Sequence, residues 1–324
     1  MNRNLYFEMD KAINLINSSR EICIASHVQP DGDNIGSILA LALALRKINK
    51  KVYVLKTDDI PVDYLFLPGV DIIKDYNDLK SVELFIALDS SDLDRLGRNK
   101  GLFQSAANTI NIDHHISNTN YGHINIVNSN AAATGEIVFH FIRRAKIDID
   151  TDIATCIYTA ISTDTGSFMY DSVSSDTHRI AAELIECGID KGVININLYQ
   201  NRSIERTNLF IKAVSHLNIY EDNKIAIVKV TQKMLEDSKA KMEDTEGIIS
   251  FVREIAPVEV ACLLKEFGNN ETKISMRSKK YIDVSSICEK FRGGGHTRAA
   301  GCTIYEKIDV AETLILEKIM EALR

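Results

Sequence analysis

Residues 22 to 33 read ICIASHVQPDGD, an apolar run that leads directly into a loop of imidazole and carboxylate side chains. The run Ile22–Ala25 is short, apolar and bounded by polar residues, which predicts a buried strand. His27 stands at its end, and a proline and a glycine bend the following loop so that Asp31 and Asp33 can converge on one point. An Asp-Gly-Asp turn considered alone has a simpler explanation in its conformational preference.

Carboxylate and imidazole side chains also follow the later apolar runs. Asp89 ends the run Leu84–Leu88, Asp113-His114-His115 follows Ile110–Ile112, and Asp164 follows Ile157–Ile161. Ligands of open α/β sheets bind beyond the carboxyl ends of the strands, and mixed carboxylate and imidazole ligands suit divalent metals such as manganese. We therefore predict a metal site in the first part of the chain. Asp89 and Asp164, each taken alone, are also explained as helix-capping residues.

The first 190 residues alternate strand-like and helix-like segments. Val52–Leu55 adds a further strand, and helices are predicted at Ile35–Ile48, Gly135–Arg144, Ile153–Ser162 and Asp176–Cys187. Asp176 or Thr177 would cap the last helix, and Gly188 would end it. Strands that alternate with helices predict a mainly parallel, doubly wound sheet.

The pattern changes after Gly188. A helical connector is predicted at Val193–Thr207, followed by strands at Leu217–Tyr220, Lys224–Val230, Val258–Phe267 and Thr272–Arg277 and helices at Thr231–Ser238, Val284–Phe291 and Val310–Leu323. Two hairpins with helices indicate a smaller α+β domain. We therefore expect a catalytic domain at 1–190, a helical linker at 191–207 and a second domain at 208–324, with the active site in the cleft between the two domains.

Composition excludes several classes of protein. The 324 residues are 45% hydrophobic and 26% charged, as in an ordinary soluble protein of about two domains. The longest apolar run is too short to cross a bilayer, and the scattered cysteines indicate a reduced cytoplasmic chain. A formal net charge of −7 excludes a broadly basic nucleic-acid coat. Basic residues nevertheless outnumber acidic ones between Lys273 and Arg298, which suits a small polyanion.

A glycine-rich run, RGGGHTRAAG, occupies residues 292–301. Gly293, Gly294 and Gly295 let backbone N–H groups approach an anion without obstruction from Cβ. The run is predicted to open a helix near His296, whose N-terminus would favour negative charge. A flexible loop is the alternative for the three glycines alone.

The order and spacing of these motifs resemble the DHH phosphoesterase superfamily over essentially the whole chain. His27-x3-Asp31-x-Asp33, Asp89, Asp113-His114-His115 and Asp164 resemble its four catalytic motifs, and residues 292–301 resemble the signature of the DHH-associated C-terminal domain. Arg292 stands where a further glycine is common, and Asn34 where a smaller residue is common. The resemblance is strongest to bifunctional oligoribonucleases that also dephosphorylate 3′-phosphoadenosine 5′-phosphate.

The resemblance implies two divalent metal ions, usually manganese. One ion would be bound by His27, Asp31 and Asp89, and the second by Asp33, Asp89, His114 and Asp164. His115 would face the substrate phosphate as a donor or as the acid for the leaving oxygen. Asp113 would orient a histidine, not bind metal.

The resemblance also implies substrate-binding residues. Gly293, Gly294, Gly295 and His296, flanked by Arg292 and Arg298, would hold a phosphate or a terminal nucleotide. Arg277, at a predicted strand end, resembles the substrate-binding arginine of the family, although an exposed arginine is the simpler explanation. Arg95 matches a family position near the site, with a pair to Asp92 as the alternative.

These inferences predict a cytoplasmic, manganese-dependent hydrolase of short single-stranded RNA and 3′-phosphoadenosine 5′-phosphate. Long duplexes and membranes are not expected partners, and a homodimer is compatible with the sequence. The alternatives are a phosphodiesterase of linear or cyclic dinucleotides and an inactive nucleotide-binding regulator. The intact set of metal-binding residue types argues against the regulator.

Overall fold

A computed structural model describes residues 3–76, 79, 81–268 and 270–323 and divides into two compact units, Met1–Asn201 and Arg202–Arg324. The first unit contains strands β1 (Glu21–Ala25), β2 (Lys51–Leu55), β3 (Ile73–Lys74), β4 (Leu84–Leu88), β5 (Asn108–Asp113) and β6 (Ile124–Val127). They form one parallel sheet in the order β3-β2-β1-β4-β5-β6. The predicted doubly wound sheet is confirmed, and its strand order reverses between β1 and β4.

Helices cover both faces of this sheet. They are α1 (Arg3–Ser18), α2 (Gly32–Lys47), α3 (Lys100–Ser105), α4 (Thr134–Arg144), α5 (Thr151–Asp164), α6 (Ser175–Glu186) and α7 (Lys191–Tyr199). Alternate strand residues face opposite sides: Ile22 and Ile24 pack in the core beneath the longer helices, whereas Cys23 and Ala25 pack in a smaller core with Phe103 of α3. Both faces of β1 and β4 are therefore buried, which explains why these strands read as continuous apolar runs.

Side-chain caps fix where several helices begin. Asp31 caps α2 by accepting the N–H of Asn34, 3.0 Å away. The predicted caps of α6, Asp176 and Thr177, are wrong: Ser174 accepts the N–H of Thr177, while the Thr177 hydroxyl accepts the N–H of Ser174. This reciprocal capping box satisfies two backbone donors, so the helix begins just after the serine.

The second unit is built on a mixed six-stranded sheet. Its strands are β7 (Asn218–Tyr220), β8 (Ile225–Val230), β9 (Val260–Glu266), β10 (Thr272–Ser278), β11 (Gly294–His296) and β12 (Ala299–Ile304). Their order is β11-β12-β10-β9-β8-β7, and β8–β9 is the parallel pair among antiparallel neighbours. The two predicted hairpins are present as β7–β8 and β9–β10.

Two helical layers enclose the second sheet. Its helices are α8 (Ile204–Ser215), α9 (Gln232–Ser238), α10 (Ile248–Glu254), α11 (Val284–Glu289) and α12 (Ile308–Leu323). One face packs on α11 and α12, and the other packs on α8, α9 and α10. No helix among the described residues is long and apolar enough to span a membrane.

Two predicted helices differ in the structure. The segment Val193–Thr207 forms two helices, because α7 ends at Tyr199 and Ser203 caps a new helix, α8. The predicted linker 191–207 is thus divided between the two units, whose boundary falls after Asn201. The helix expected near His296 is wrong, since β11 and β12 form a tight antiparallel hairpin there.

Candidate active site

The reversal of strand order brings His27 and Asp89 together. His27 follows β1 and Asp89 follows the neighbouring strand β4, and the His27 Nε2 lies 3.2 Å from Asp89 Oδ2. The other ring nitrogen, Nδ1, donates to the carbonyl of Val28 at 2.7 Å. That bond fixes the ring so that Nε2 points at the carboxylate. Nε2 is therefore positioned either to be protonated or to bind a cation.

The loop after His27 delivers two further carboxylates. Asp31 Oδ2 lies 3.8 Å from His27 Nε2. Asp33 is buried in the first turn of α2 and accepts the backbone N–H groups of Thr134 and Gly135, at 2.6 and 2.9 Å. These two donors belong to the first turn of α4, where the helix dipole favours a negative charge.

His114 adds a second imidazole to the same group of carboxylates. Its Nδ1 lies 3.3 Å from the carbonyl of Ala131. Its Nε2 lies 3.9 Å from Asp33, 3.8 Å from Asp89 and 3.4 Å from Asp164, which ends α5. Both histidines thus bond a carbonyl through Nδ1 and turn Nε2 toward carboxylates, as metal-binding histidines do.

The six residues form an acidic-imidazole cluster that fits divalent metal ions. The cluster comprises His27, Asp31, Asp33, Asp89, His114 and Asp164. Its ligand atoms fall into sets that lie within 4.8 Å of one another: His27 with Asp31 and Asp89, Asp33 with His114 and Asp164, and Asp89 with His114 and His115. The first set matches one metal site implied by the family resemblance, and the second contains three of the four residues of the other site, without Asp89; the third set includes His115. The donor types are those of manganese sites.

Electrostatics within the cluster favour a bound cation. Burial and the charges of Asp89 and Asp164 raise the pKa of Asp33 well above its ordinary value. Burial also raises the pKa of Asp164, to about 6, with Asp89 adding to the effect. Although burial opposes it, His27 holds the pKa of Asp89 below its ordinary value through a hydrogen bond and its charge. Carboxylates packed this closely resist being ionised at the same time. A bound divalent ion neutralises their charge and makes the ionised forms favourable.

Asp113 and His115 form a hydrogen-bonded pair beside the cluster. Asp113 is fully buried at the end of β5, and its Oδ1 lies 2.7 Å from His115 Nδ1. This bond is the main reason that the pKa of His115 rises to about 8. The amide of Asn118 donates to the other carboxylate oxygen. The pair leaves His115 Nε2 available to a substrate.

Arg95 lies close enough to His115 for its charge to lower the pKa of that histidine. Asp92 accepts the backbone N–H of Arg95 at 3.1 Å. The Arg95 Nε is buried and has no hydrogen-bond partner among the described residues. The side chain as a whole is partly exposed, so its guanidinium is a candidate for binding an anionic substrate.

The candidate nucleotide-binding residues of the second unit lie on adjacent strands. Arg277 of β10 is paired with Ala299 of β12, which is in turn paired with His296 of β11. Residues directly opposite each other in a sheet point to the same face. Arg277 and His296 therefore flank Ala299 on one face. The Arg277 guanidinium is half-buried and donates to the carbonyl of Met276 at 2.9 Å.

The three glycines of the hairpin are there for different structural reasons. A Cβ on Gly293 would lie 2.2 Å from the carbonyl oxygen of Gly301, and a Cβ on Gly295, whose φ is +148°, would lie 2.5 Å from that of Ala299. A Cβ on Gly294 would meet no atom within 4 Å. Gly293 and Gly295 are thus needed for the hairpin to form, whereas Gly294 opens to solvent. Arg298 donates from Nη1 to the carbonyl of Ile282 at 2.9 Å.

Thr134 and Asn118 were not identified from the sequence. The Thr134 hydroxyl donates to Asp89 Oδ1 at 2.9 Å, and its backbone N–H binds Asp33. The predicted start of a helix at Gly135 was an available signal, because backbone donors at a helix N-terminus attract carboxylates. No sequence pattern pointed to Asn118. Its hydrogen bond to Asp113 depends on how the loop after His115 folds back toward the strand.

Comparisons with known proteins agree with this architecture. Residues 21–161 match the DHH family, N-terminal domain, and residues 222–323 match the DHHA1 domain. The bifunctional oligoribonuclease and PAP phosphatase NrnA of Thermus thermophilus is 32% identical over 94% of this chain and 89% of its own, and the Bacillus subtilis protein of that name is 25% identical over 88% and 89%. An exopolyphosphatase-related protein from Bacteroides fragilis superimposes with a TM-score of 0.91 at 29% identity, covering 98% of this chain and 96% of its own. The chain therefore belongs to the DHH family and pairs a DHH domain with a DHHA1 domain.

Proposed function

We propose that this protein is a manganese-dependent phosphoesterase that hydrolyses short oligoribonucleotides to mononucleotides and 3′-phosphoadenosine 5′-phosphate to AMP. The observation that carries the proposal is the acidic-imidazole cluster, whose two histidines both turn Nε2 toward buried carboxylates. The printed names of the Thermus and Bacillus relatives, bifunctional oligoribonuclease and PAP phosphatase, support the choice of substrates.

We assign the cluster to two metal sites. His27, Asp31 and Asp89 would hold one ion, and Asp33, Asp89, His114 and Asp164 the other, with Asp89 shared. When bound there, a pair of divalent ions would lower the pKa of a water for in-line attack and would neutralise the charge that develops on the phosphoryl group. Manganese suits this mixture of oxygen and nitrogen donors. No covalent nucleophile from the chain is required.

His115 would supply the proton for the leaving oxygen. Its Nδ1 is bonded to Asp113, so the proton available to a substrate is held at Nε2. The Asp113 carboxylate stabilises the imidazolium and fixes the ring orientation. A pKa of about 8 keeps the imidazolium populated near neutral pH, which is the protonation state that an acid catalyst needs.

Residues of the DHHA1 domain would hold the terminal nucleotide. Arg277 and His296 offer a guanidinium and an imidazole on one face of the sheet. The backbone of Gly294, two residues before His296 on the same strand, lies open to solvent, so a phosphate or base can approach it. In the first unit, the partly exposed guanidinium of Arg95, whose charge acts on His115, would contact the scissile phosphate.

The charge distribution favours small substrates over long polymers. A net charge of −7 gives no general attraction to nucleic acid, and long single strands require an extended basic track. We also infer a cytoplasmic location, which is supported by six cysteines without disulfide bonds.

The proposal is tested with 5′-labelled RNAs of two to about ten nucleotides and with 3′-phosphoadenosine 5′-phosphate. Each substrate is incubated with manganese, with magnesium, or with a chelator. We expect hydrolysis of the shortest RNAs and of the bisphosphate with manganese, and none with the chelator. Turnover of dinucleotides alone would instead identify a dinucleotide phosphodiesterase. A lack of turnover with every metal would indicate a nucleotide-binding regulator.

A further inference from the structure

A basic cavity opens on the second unit beside the glycine-rich hairpin. Its volume is about 760 Å³, and its lining includes Lys265, Lys273, Lys290, Phe291, Arg292 and Tyr305. The described lining residues include four basic side chains and no carboxylate. Lys290 is partly neutralised, because Glu321 lies 3.6 Å away. Lys265, Lys273 and Arg292, which we call the basic pocket, have no such ion pair among the described residues.

The two lysines of the basic pocket stand directly opposite each other. Lys265 of β9 and Lys273 of β10 are paired in the antiparallel register. Like charges in this position repel each other and destabilise the sheet. Burial, together with the charge of Lys273, lowers the pKa of Lys265. An anion bound between the two ammonium groups would remove this repulsion, so the pair is suited to a phosphate.

Arg292 contributes a third cation from a strained backbone. Its φ is +58°, in the left-handed region that side chains other than glycine rarely adopt. A glycine here would remove the strain, yet this chain carries an arginine that lines the cavity. Strain that persists in a binding region is consistent with a role for the side chain.

The paired lysines of the basic pocket lie on the same sheet face as Arg277. Residues 273, 275 and 277 alternate with buried neighbours along β10, so their side chains share one face. Four residues of a strand span about 13 Å, so the Cα atoms of Lys273 and Arg277 lie about that far apart. This spacing suits a ligand that extends beyond a single nucleotide.

Aromatic rings border the basic pocket. Phe291 lines the cavity, and Tyr305 at its rim is 76% exposed. The Lys273 ammonium lies 4.0 Å from the centroid of the Phe267 ring, which restrains the lysine. An exposed ring such as Tyr305 beside a group of cations is typical of sites where single-stranded bases stack.

We propose that the basic pocket binds a backbone phosphate of a nucleotide beyond the terminal one, and so selects RNA chains over mononucleotides. This inference rests on the proposed function for its choice of RNA, and it assigns Lys265, Lys273 and Arg292 as specificity-determining residues.

The test compares a five-nucleotide RNA with 3′-phosphoadenosine 5′-phosphate in the full-length protein. The variants are Lys265→Ala/Lys273→Ala and Arg292→Gly, and the matched control is Lys224→Ala/Lys233→Ala, which removes two exposed lysines outside the cavity. We expect kcat/KM for the RNA to fall about tenfold in the double lysine variant, while the bisphosphate changes less than twofold. Arg292→Gly should lower RNA turnover without lowering the unfolding temperature, because glycine suits that backbone conformation.

A binding measurement separates this inference from the proposed function. Fluorescence anisotropy of a labelled five-nucleotide RNA, in chelator so that hydrolysis cannot contribute, reports the basic pocket even if the enzyme acts on another substrate. Loss of the single phosphate held between the two lysines should reduce the slope of log affinity against log salt by about 0.7 in the double lysine variant. Equal losses with the lysine control, equal losses on both substrates, or unchanged RNA binding would each overturn the inference.

Discussion

The Nε2 of His27 lies 3.2 Å from Oδ2 of Asp89, so the residues that follow β1 and β4 meet where the strand order reverses. Asp89 also accepts from the Thr134 hydroxyl, and it lies within reach of His114. Its backbone has a φ of +52°, which Asn and Asp tolerate better than most residues. Asp89 therefore lies at the centre of the cluster, and its backbone conformation limits which amino acids can stand at this position.

We predict that Asp89→Asn abolishes hydrolysis and leaves the fold intact. Asn tolerates the same backbone conformation but removes the charge shared by both metal sites. Mutation of a residue that only supports a metal ligand lowers metal affinity or activity by about 10- to 100-fold. Because Asp89 is itself assigned as a ligand, the loss of activity should exceed 100-fold. The measurements are turnover with manganese, metal content and thermal unfolding in chelator. Activity near that of the wild type would contradict the assignment of Asp89 to both ions.

His115→Ala tests whether this histidine acts on substrate or binds metal. We expect kcat to fall by about 10²- to 10⁴-fold, the usual contribution of an acid catalyst, with unchanged metal content. Both roles are compatible with the geometry, because the ligand atoms of Asp89, His114 and His115 also lie close enough together to hold a metal ion. Loss of one metal equivalent in the variant would make His115 a ligand. Asp113→Asn, which keeps the size of the orienting partner, should lower kcat less than His115→Ala.

The sequence predicted the cluster because its residues follow apolar strands or end an apolar helix. Strand β1 and its neighbour β4 are buried on both faces, so their runs end sharply, and the next polar residues mark the edge of the sheet. The parallel order then brings those ends together. His27, Asp89 and His114 were therefore predictable from local pattern and one topological rule.

The hairpin at residues 294–301 was not predictable in the same way. Glycines followed by a histidine and an arginine suit a helix start as well as a tight turn. What decides between them is long-range: β12 pairs with β10 through six residues, and β11 then adds to the exposed edge of β12. Helix α1 was also missed; its buried residues, Leu5, Met9, Ala12 and Ile16, have helical spacing.

Arg277→Ala tests whether the DHHA1 domain binds the nucleotide. Loss of a hydrogen bond to a charged group should cost about 1.5–3 kcal/mol in kcat/KM for a short RNA. Hydrolysis of bis-p-nitrophenyl phosphate, which lacks a nucleoside to hold, should barely change. Comparable losses on both substrates would show that Arg277 supports the fold, for example through its bond to the Met276 carbonyl.

The glycines offer a matched pair of variants. Gly294→Val places its side chain in open space, so the protein should fold normally, while kcat/KM for RNA should fall because the phosphate or base is blocked. Gly293→Ala forces a Cβ to within 2.2 Å of the Gly301 carbonyl oxygen, which should destabilise the domain by about 1–3 kcal/mol, the scale of overpacking. Thermal unfolding and RNA turnover, measured on both variants, separate the two roles. Normal RNA turnover by Gly294→Val would exclude this backbone from the nucleotide site.

Glu259 is expected to make the free energy of unfolding depend on pH, because its carboxylate binds the loop 280–282 that Arg298 also contacts. The buried carboxylate accepts the backbone N–H groups of Lys280, Tyr281 and Ile282 at 2.7–3.0 Å. Burial alone would raise the pKa of Glu259, but these bonds and the charge of Arg298 bring the pKa below its ordinary value of 4.5. A carboxylate with a lowered pKa in the folded state stabilises the fold above the unfolded pKa, and this contribution is lost as the pH falls through the folded pKa.

We therefore predict that Glu259→Gln lowers the free energy of unfolding by about 2 kcal/mol at pH 7, the scale of hydrogen bonds to a charged acceptor. The difference from the wild type should shrink steadily as the pH falls below 4.5, where the wild-type carboxylate also becomes neutral. Urea unfolding from pH 7 to pH 3 measures this difference, with Glu236→Gln, an exposed glutamate of the same domain, as the control. A difference that stays constant across this range would mean that Glu259 acts through its shape and not through its charge. Arg298 donates to the carbonyl of Ile282 in the same loop, so Glu259→Gln should also weaken RNA turnover modestly at neutral pH.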